Sequence, residues 1–139
     1  MGIDNIGFIP YNIDRETEVD VRNYEIVFFE QADGSQPAAD FIQKLDRKMS
    51  AKILRFLELL SEVGPELREP YSKPLGDGIF ELRTQVGNDT SRVLYFFFIG
   101  KRIVLTNGFI KKTQKTPSAE IELAKKRRAA YLEKMEGVR

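Results

Sequence analysis

At 139 residues the chain is sized for one domain, long enough to bury roughly two-thirds of its unfolded surface and to need neither disulfide nor metal to fold. It has no cysteine and no histidine. That excludes a Cys-rich structural zinc site, a thiol nucleophile, a Ser-His-Asp triad and a histidine general base. A carboxylate-only Mg²⁺ site stays open, but no metal site and no cofactor are expected. The net charge of +1 hides a polarity: residues 1–36 carry −6 and residues 37–139 carry +7. Such asymmetry suggests a basic working surface, and scattered solvated charge is the alternative.

Residues 1–23 form an acidic extension with few apolar positions and no helical stripe. They read as a strand and loop packed on the domain, as a flexible arm, or in part as a cloning remnant. Met1 to Tyr11 lacks the basic start and apolar core of a secretory signal, and no apolar run reaches the ~18 residues of a membrane span. The expected compartment is the cytoplasm.

Tyr24 to Glu30 (YEIVFFE) is β-branched and aromatic and predicts a strand. Ala32 to Gln36 is a turn, and Ser35 or Gln36 before Pro37 starts a helix. Phe41, Ile42 and Leu45 share one face of it. Asp46 is positioned to cap a second helix, whose apolar positions Met49, Ile53, Phe56, Leu57, Leu60 and Val63 recur at three and four residues. Gly64-Pro65 ends it. A helical hairpin therefore follows the first strand.

Pro70 to Pro74 reads as loop and Gly76-Asp77-Gly78 as a turn. Ile79 to Val86, Arg92 to Ile99 and Arg102 to Phe109 predict three strands. Their short links, Gly87-Asn88-Asp89 and Gly100-Lys101, imply an antiparallel meander. Pro117 opens a last helix, Ser118 to Met135, with a narrow stripe of Ile121, Ala124, the Arg128 stem, Tyr131, Leu132 and Met135. Such a stripe docks loosely or binds a partner. The fold class is α+β: a small antiparallel sheet, made of the N-terminal strand plus the three-strand meander, packed on the helical hairpin, with a C-terminal helix.

Strand alternation puts Glu81, Arg83 and Gln85 on one face, with Phe80, Leu82, Thr84 and Val86 on the other. Phe80 and Leu82 belong to the core, so Arg83 points to the opposite, open face. Lys111, Lys112 and Lys115, with Thr113, Gln114 and Thr116, form a dense donor patch after the last strand. Among Tyr95, Phe96, Phe97 and Phe98, alternation puts about half in the core; core or sheet packing is the expected role of the run, with one outward ring as a candidate base stacker. Lys125, Lys126, Arg127 and Arg128 spread over nearly all faces of the last helix.

The order of elements, with the paired strings LGDGIFELR and GFIKKTQKTP, resembles the RelE/HigB superfamily of type II toxins, with the nearest likeness to its phage-derived, HigB-like branch. The resemblance covers roughly residues 24 to 133, so residues 24–139 are read as a RelE/HigB-like toxin domain. It implies a RelE-like fold and an endoribonuclease that cuts mRNA in the ribosomal A site. It also implies a cognate helix-turn-helix (HigA-like) antitoxin, with operator DNA reached only through that antitoxin.

On this likeness Arg92 matches the arginine that contacts the scissile phosphate, and Arg83 the basic residue that faces the RNA backbone. The alternatives are an Arg92 that guards an aggregation-prone strand and an Arg83 paired with Glu81 or a loop carbonyl. Lys111 or Lys112 is the candidate base for 2′-OH attack, because neighbouring cations lower a lysine pKa. Lys115 and Thr113 are candidate RNA-binding groups, and Lys125, Lys126, Arg127 and Arg128 candidate rRNA contacts. Two other classes stay open: a ParE-like gyrase inhibitor, and a non-catalytic relative that binds only antitoxin or RNA.

Overall fold

The computed structural model describes residues 24–137 and, before them, a two-residue ladder of β1 (Ile13–Asp14) against β2 (Val19–Asp20). The expectations for residues 1–23 otherwise lie outside the described residues. The main body runs β3 (Glu25–Phe28), α1 (Pro37–Lys44), α2 (Arg47–Val63), β4 (Ser72–Gly76), β5 (Ile79–Val86), β6 (Asp89–Phe98), β7 (Arg102–Ile110) and α3 (Ser118–Gly137). The sheet order is β3-β7-β6-β5-β4.

The helices begin and end where local chemistry dictates. Pro37 occupies the first turn of α1, where its missing N–H costs nothing. The Asp46 carboxylate accepts the Met49 N–H at 2.9 Å and so caps α2. Gly64 closes α2 at φ 55°, a backbone angle that disfavours any side chain, with the Tyr24 ring packed against it.

Two features differ from the sequence expectation. Ser72–Gly76, read as loop and turn, is a strand that pairs antiparallel with β5. Pro74 disguises it. A proline cannot donate to a ladder, but at the outer edge of a sheet that donor is not needed. The meander therefore has four strands. The second difference is direction: β3 lies parallel to β7, so the sheet is mixed. The helical hairpin carries the chain from the β3 edge to the far β4 edge, and the meander returns to meet β3 at β7.

Both faces of the sheet are covered. Ile26, Leu82, Val93, Tyr95, Ile103 and Leu105 pack under α1 and α2 on Ile42, Met49, Ile53, Leu57 and Leu60. Phe29, Ile79, Leu94, Phe96 and Val104 face α3, which contributes Ala124 and Tyr131. The aromatic run of β6 is thus divided by alternation: Tyr95 stacks on Phe80, while Phe96 and Phe98 meet Tyr131 edge-on. The Tyr95 hydroxyl shares a buried 2.5 Å hydrogen bond with Ser72, which ties β4 to β6 across β5.

Two stability predictions follow from this packing. A Cβ at Gly108 would run into the Phe41 ring, so Gly108→Ala should cost about 1–3 kcal/mol by overpacking, read from urea unfolding midpoints. Burial pushes the Tyr95 phenol up to about 12, with the Ser72 bond pulling the other way. The unfolded chain then loses this proton first, so stability should fall as pH climbs from about 10 to about 12. Tyr95→Phe should remove that component of the alkaline loss while costing roughly 1–2 kcal/mol at neutral pH.

Candidate functional site

The α3 helix does not reach the end of the sheet that carries Arg83 and Arg92. There the chain leaving β7 folds back instead. The Lys111 N–H bonds the Thr90 carbonyl at 2.8 Å, and the Thr116 hydroxyl donates to Glu81 Oε1. Between these anchors lies a polar cluster built from β4, β5, β6 and the following loop.

At its centre is Glu81, a carboxylate only 2% exposed. Arg83 and Arg92 are direct cross-strand partners on β5 and β6, an arrangement that like charges resist. Glu81 stands two residues along the same face and resolves the conflict. Its Oε2 lies 3.5 Å from Arg83 Nε and 3.5 Å from Arg92 Nε. Both contacts are ion pairs without well-aligned hydrogen bonds, since neither Nε has a hydrogen-bond partner. A second arginine nitrogen is placed in each case: Arg92 Nη1 donates to the Ser91 carbonyl at 2.9 Å, and Arg83 Nη1 to Glu69 Oε1 at 3.0 Å.

The two arginines differ in access. The Arg92 side chain is 6% exposed and that of Arg83 26%. Burial pulls the Arg92 guanidinium below its ordinary value, Glu81 pulls it back up, and Arg83 lowers it further. Arg92 remains a cation, as an arginine must. Lys111 completes the cluster. Desolvation first, then Arg92, Arg83 and Lys73, hold its ammonium below the usual lysine value, with Glu81 opposing. A neutral amine is therefore easier to reach at Lys111 than at a free lysine.

The other sequence candidates separate into two groups. Lys112, Thr113 and Lys115 are exposed on the loop beyond Lys111, where the Thr113 hydroxyl bonds the Lys115 carbonyl at 2.7 Å. The basic run of α3 lies mostly against the protein itself. Lys125 pairs with Asp77 at 3.2 Å, Arg128 donates to the Asp77 carbonyl, and Arg127 donates to the Thr106 carbonyl at 3.0 Å while lying over the Phe29 ring. Lys126 is exposed. Tyr131 docks α3 and is 7% exposed.

Two residues at the centre of the cluster were not among the sequence candidates for the site. Glu81 entered only as one alternative partner for Arg83. Lys73 was assigned to a loop. Its place opposite Glu81 becomes legible only once Ser72–Gly76 is seen to be a strand. Among the described residues no group of three or more His, Cys, Asp or Glu is placed to hold a metal, and no helix is long and apolar enough to cross a membrane.

A mixed five-stranded sheet packed against three helices, one of them C-terminal, is an α+β arrangement consistent with the RelE-like fold. Residues 40–129 match the family model described as Phage derived protein Gp49-like (DUF891). The chain belongs to this phage-derived family, which lies within the RelE/HigB-like toxin superfamily. No curated protein sequence matches the chain.

The cluster can be tested without any assay of activity. Glu81→Gln removes the counter-charge of two facing arginines, one of them buried, and should cost roughly 3–5 kcal/mol in urea unfolding. Arg83→Gln takes one of two cationic partners from the same buried carboxylate and should cost less than Glu81→Gln, roughly 1–3 kcal/mol. For Lys111 the sign is opposite. Its folded-state value lies below 10.5, so the protonated amine opposes folding at neutral pH, and stability rises as pH climbs from the lowered value toward 10.5. Lys111→Gln should therefore unfold no earlier than the wild type at pH 7, with the gap closing toward pH 10.5.

Proposed function

We propose that the chain is the toxin of a type II toxin–antitoxin pair and an endoribonuclease that cuts mRNA on the ribosome. The observation that carries this reading is the convergence of Lys73, Arg83, Arg92 and Lys111 around Glu81 at the end of the sheet left open by α3. Membership of a toxin-like family supports it.

In this reading Arg83 presents its planar fork to the non-bridging oxygens of the scissile phosphate. Arg92 acts from behind. It is too buried to offer both of its terminal nitrogens to a phosphate, so its work is to add positive potential and to depress the Lys111 amine. Lys111, when neutral, takes the proton of the 2′-OH, which attacks the adjacent phosphorus. The 5′-oxygen leaves and takes up a proton from water, giving a 2′,3′-cyclic phosphate and a 5′-hydroxyl end, and Lys111 later returns its proton to solvent. Charge accumulating on the phosphoryl oxygens is stabilised by the fixed cations. Lys112, Lys115 and Thr113 extend the donor surface for the RNA backbone. Lys126 of α3 faces solvent and is the rRNA-facing cation of that run, whereas Lys125, Arg127 and Arg128 are engaged by the protein itself.

The cognate partner in this reading is a helix-turn-helix (HigA-like) antitoxin that covers the basic face, with operator DNA reached through it alone. The ribosome supplies orientation that free RNA lacks, and the site of action is cytoplasmic.

Induction in a bacterial host, with mapping of mRNA 5′ ends, tests the proposal. In-frame cuts in translated messages are expected. They should fall at least 100-fold with Lys111→Gln, which removes neither ion pair of Glu81 with the arginines, and with Arg83→Ala, each variant assayed at a temperature where its unfolding transition shows it folded. Arg92→Ala is a poorer probe, because it strips a buried carboxylate of its partner. Growth arrest with intact messages and a DNA-damage response would replace the nuclease reading with gyrase inhibition.

A further inference from the structure

Beside the arginine cluster the sheet has an unfinished edge. The last backbone bond that β5 makes on this side runs from the Arg83 N–H to the Tyr71 carbonyl, 2.8 Å. Beyond it the Gln85 carbonyl is met by the Lys52 ammonium of α2 at 2.6 Å. The gap between these two contacts is a cavity of about 320 Å³ lined in part by Lys52, Phe56, Tyr71, Thr84, Arg83 and Arg92. That is within the size range of small-molecule sites.

The lining has three parts with different chemistry. Tyr71 is 37% exposed and packs edge-on against Phe56 at 5.0 Å between ring centres, so a rigid aromatic wall faces partly into the open. Thr84 is 2% exposed, and its hydroxyl is buried without a hydrogen-bond partner. Such a group costs stability unless something completes it. Arg83 and Arg92 line the cavity and supply positive charge, while their Nε atoms are turned to Glu81 at 3.5 Å. A ring to stack on, an uncommitted hydroxyl and adjoining cations suit a ligand that joins a flat heteroaromatic group to a phosphate.

We propose that this cavity is a nucleobase subsite. The base next to the phosphate held by Arg83 stacks on Tyr71 and is hydrogen-bonded by the Thr84 hydroxyl. This assignment rests on the RNA-cleaving reading for its substrate class, but its test does not depend on cleavage. It makes Tyr71 and Thr84 determinants of which nucleotide flanks the cut.

The experiment is titration of the purified full chain with AMP, UMP and ribose 5-phosphate, followed through the NMR signals of Tyr71 and Thr84. A nucleoside monophosphate is expected to bind about tenfold or more tighter than ribose 5-phosphate, the worth of one stacked base. Tyr71→Ala should erase that margin, and Tyr71→Phe should keep it. Thr84→Val, nearly isosteric and losing only an unpaired hydroxyl, should leave ribose 5-phosphate binding unchanged and weaken the nucleotides.

Equal affinities for nucleotide and sugar phosphate would overturn the subsite and leave a bare anion site. The same holds for a margin that survives Tyr71→Ala, or for binding matched by an acidic peptide of equal charge. Nucleotide binding through Tyr71 in a protein that cuts no message would sustain the subsite and remove the nuclease. Cuts whose flanking-base preference is unchanged by Tyr71→Ala would do the reverse.

Discussion

The burial of Glu81 organises this end of the molecule. Arg83 and Arg92 meet across β5 and β6, and by itself that register is electrostatically unfavourable. One carboxylate on the same face, inside the strand and beneath the loop from Lys111 to Thr116, makes it tenable. The desolvation of Glu81 is in turn offset only because two guanidinium groups and a hydroxyl surround it. The strand register and loop course therefore depend on one another. A shift of one residue in β5 would send Glu81 and Arg83 into the apolar layer under α2 and expose Leu82.

The same interdependence explains why α3 is held although its apolar stripe is thin. Ala124 and Tyr131 are its only fully buried apolar side chains. The rest of the docking is polar: Asn107 to the Glu120 carboxylate at 2.9 Å, Arg127 to the β7 bulge at Thr106, and Lys125 and Arg128 to Asp77 in the β4–β5 turn. Exposed ion pairs contribute little singly, but donors onto backbone carbonyls fix a direction. The helix starts at Ser118, just past the loop anchored on Glu81, and its last turns lie against Arg102 and β3, away from Arg83. The open end of the sheet is a consequence of where these cations hold the helix.

The elements whose signal is local were legible in the sequence. Pro37, Asp46 and Gly64 mark helix ends by backbone chemistry that tertiary context does not alter, and β5, β6 and β7 carried their own alternation. What escaped was relational. The parallel pairing of β3 with β7 leaves no trace in YEIVFFE, because alternation reports faces and not direction. β4 was hidden because Pro74 is a loop residue everywhere except at a sheet edge. With β4 hidden, Lys73 could not be set against Glu81, and Tyr71 could not be seen to end the edge. The basic run of α3 was visible as charge, but its targets, an Asp77 turn and a Thr106 bulge, lie 40 or more residues and 20 or more residues away in sequence. Arg83 and Arg92 were singled out by type and position, whereas the difference in their exposure was not legible in the sequence.

That difference changes how the cluster is best understood. A buried Arg92 cannot be exchanged for a freely solvated cation, because its value lies in being fixed. It neutralises half of the demand of Glu81, so that Arg83 can keep a nitrogen toward the outside. Its positive potential also reaches Lys111 through a medium poorer in water than the surface, where a unit charge acts more strongly. The lowered lysine is thus produced by the same burial that makes Glu81 necessary. A more exposed cluster would need no internal carboxylate, but its lysine would keep its ordinary proton and its arginines would be free to wander. Holding several cations together at the end of a small sheet requires one buried anion, and the chain places it two residues from Arg83 on the strand that needs it.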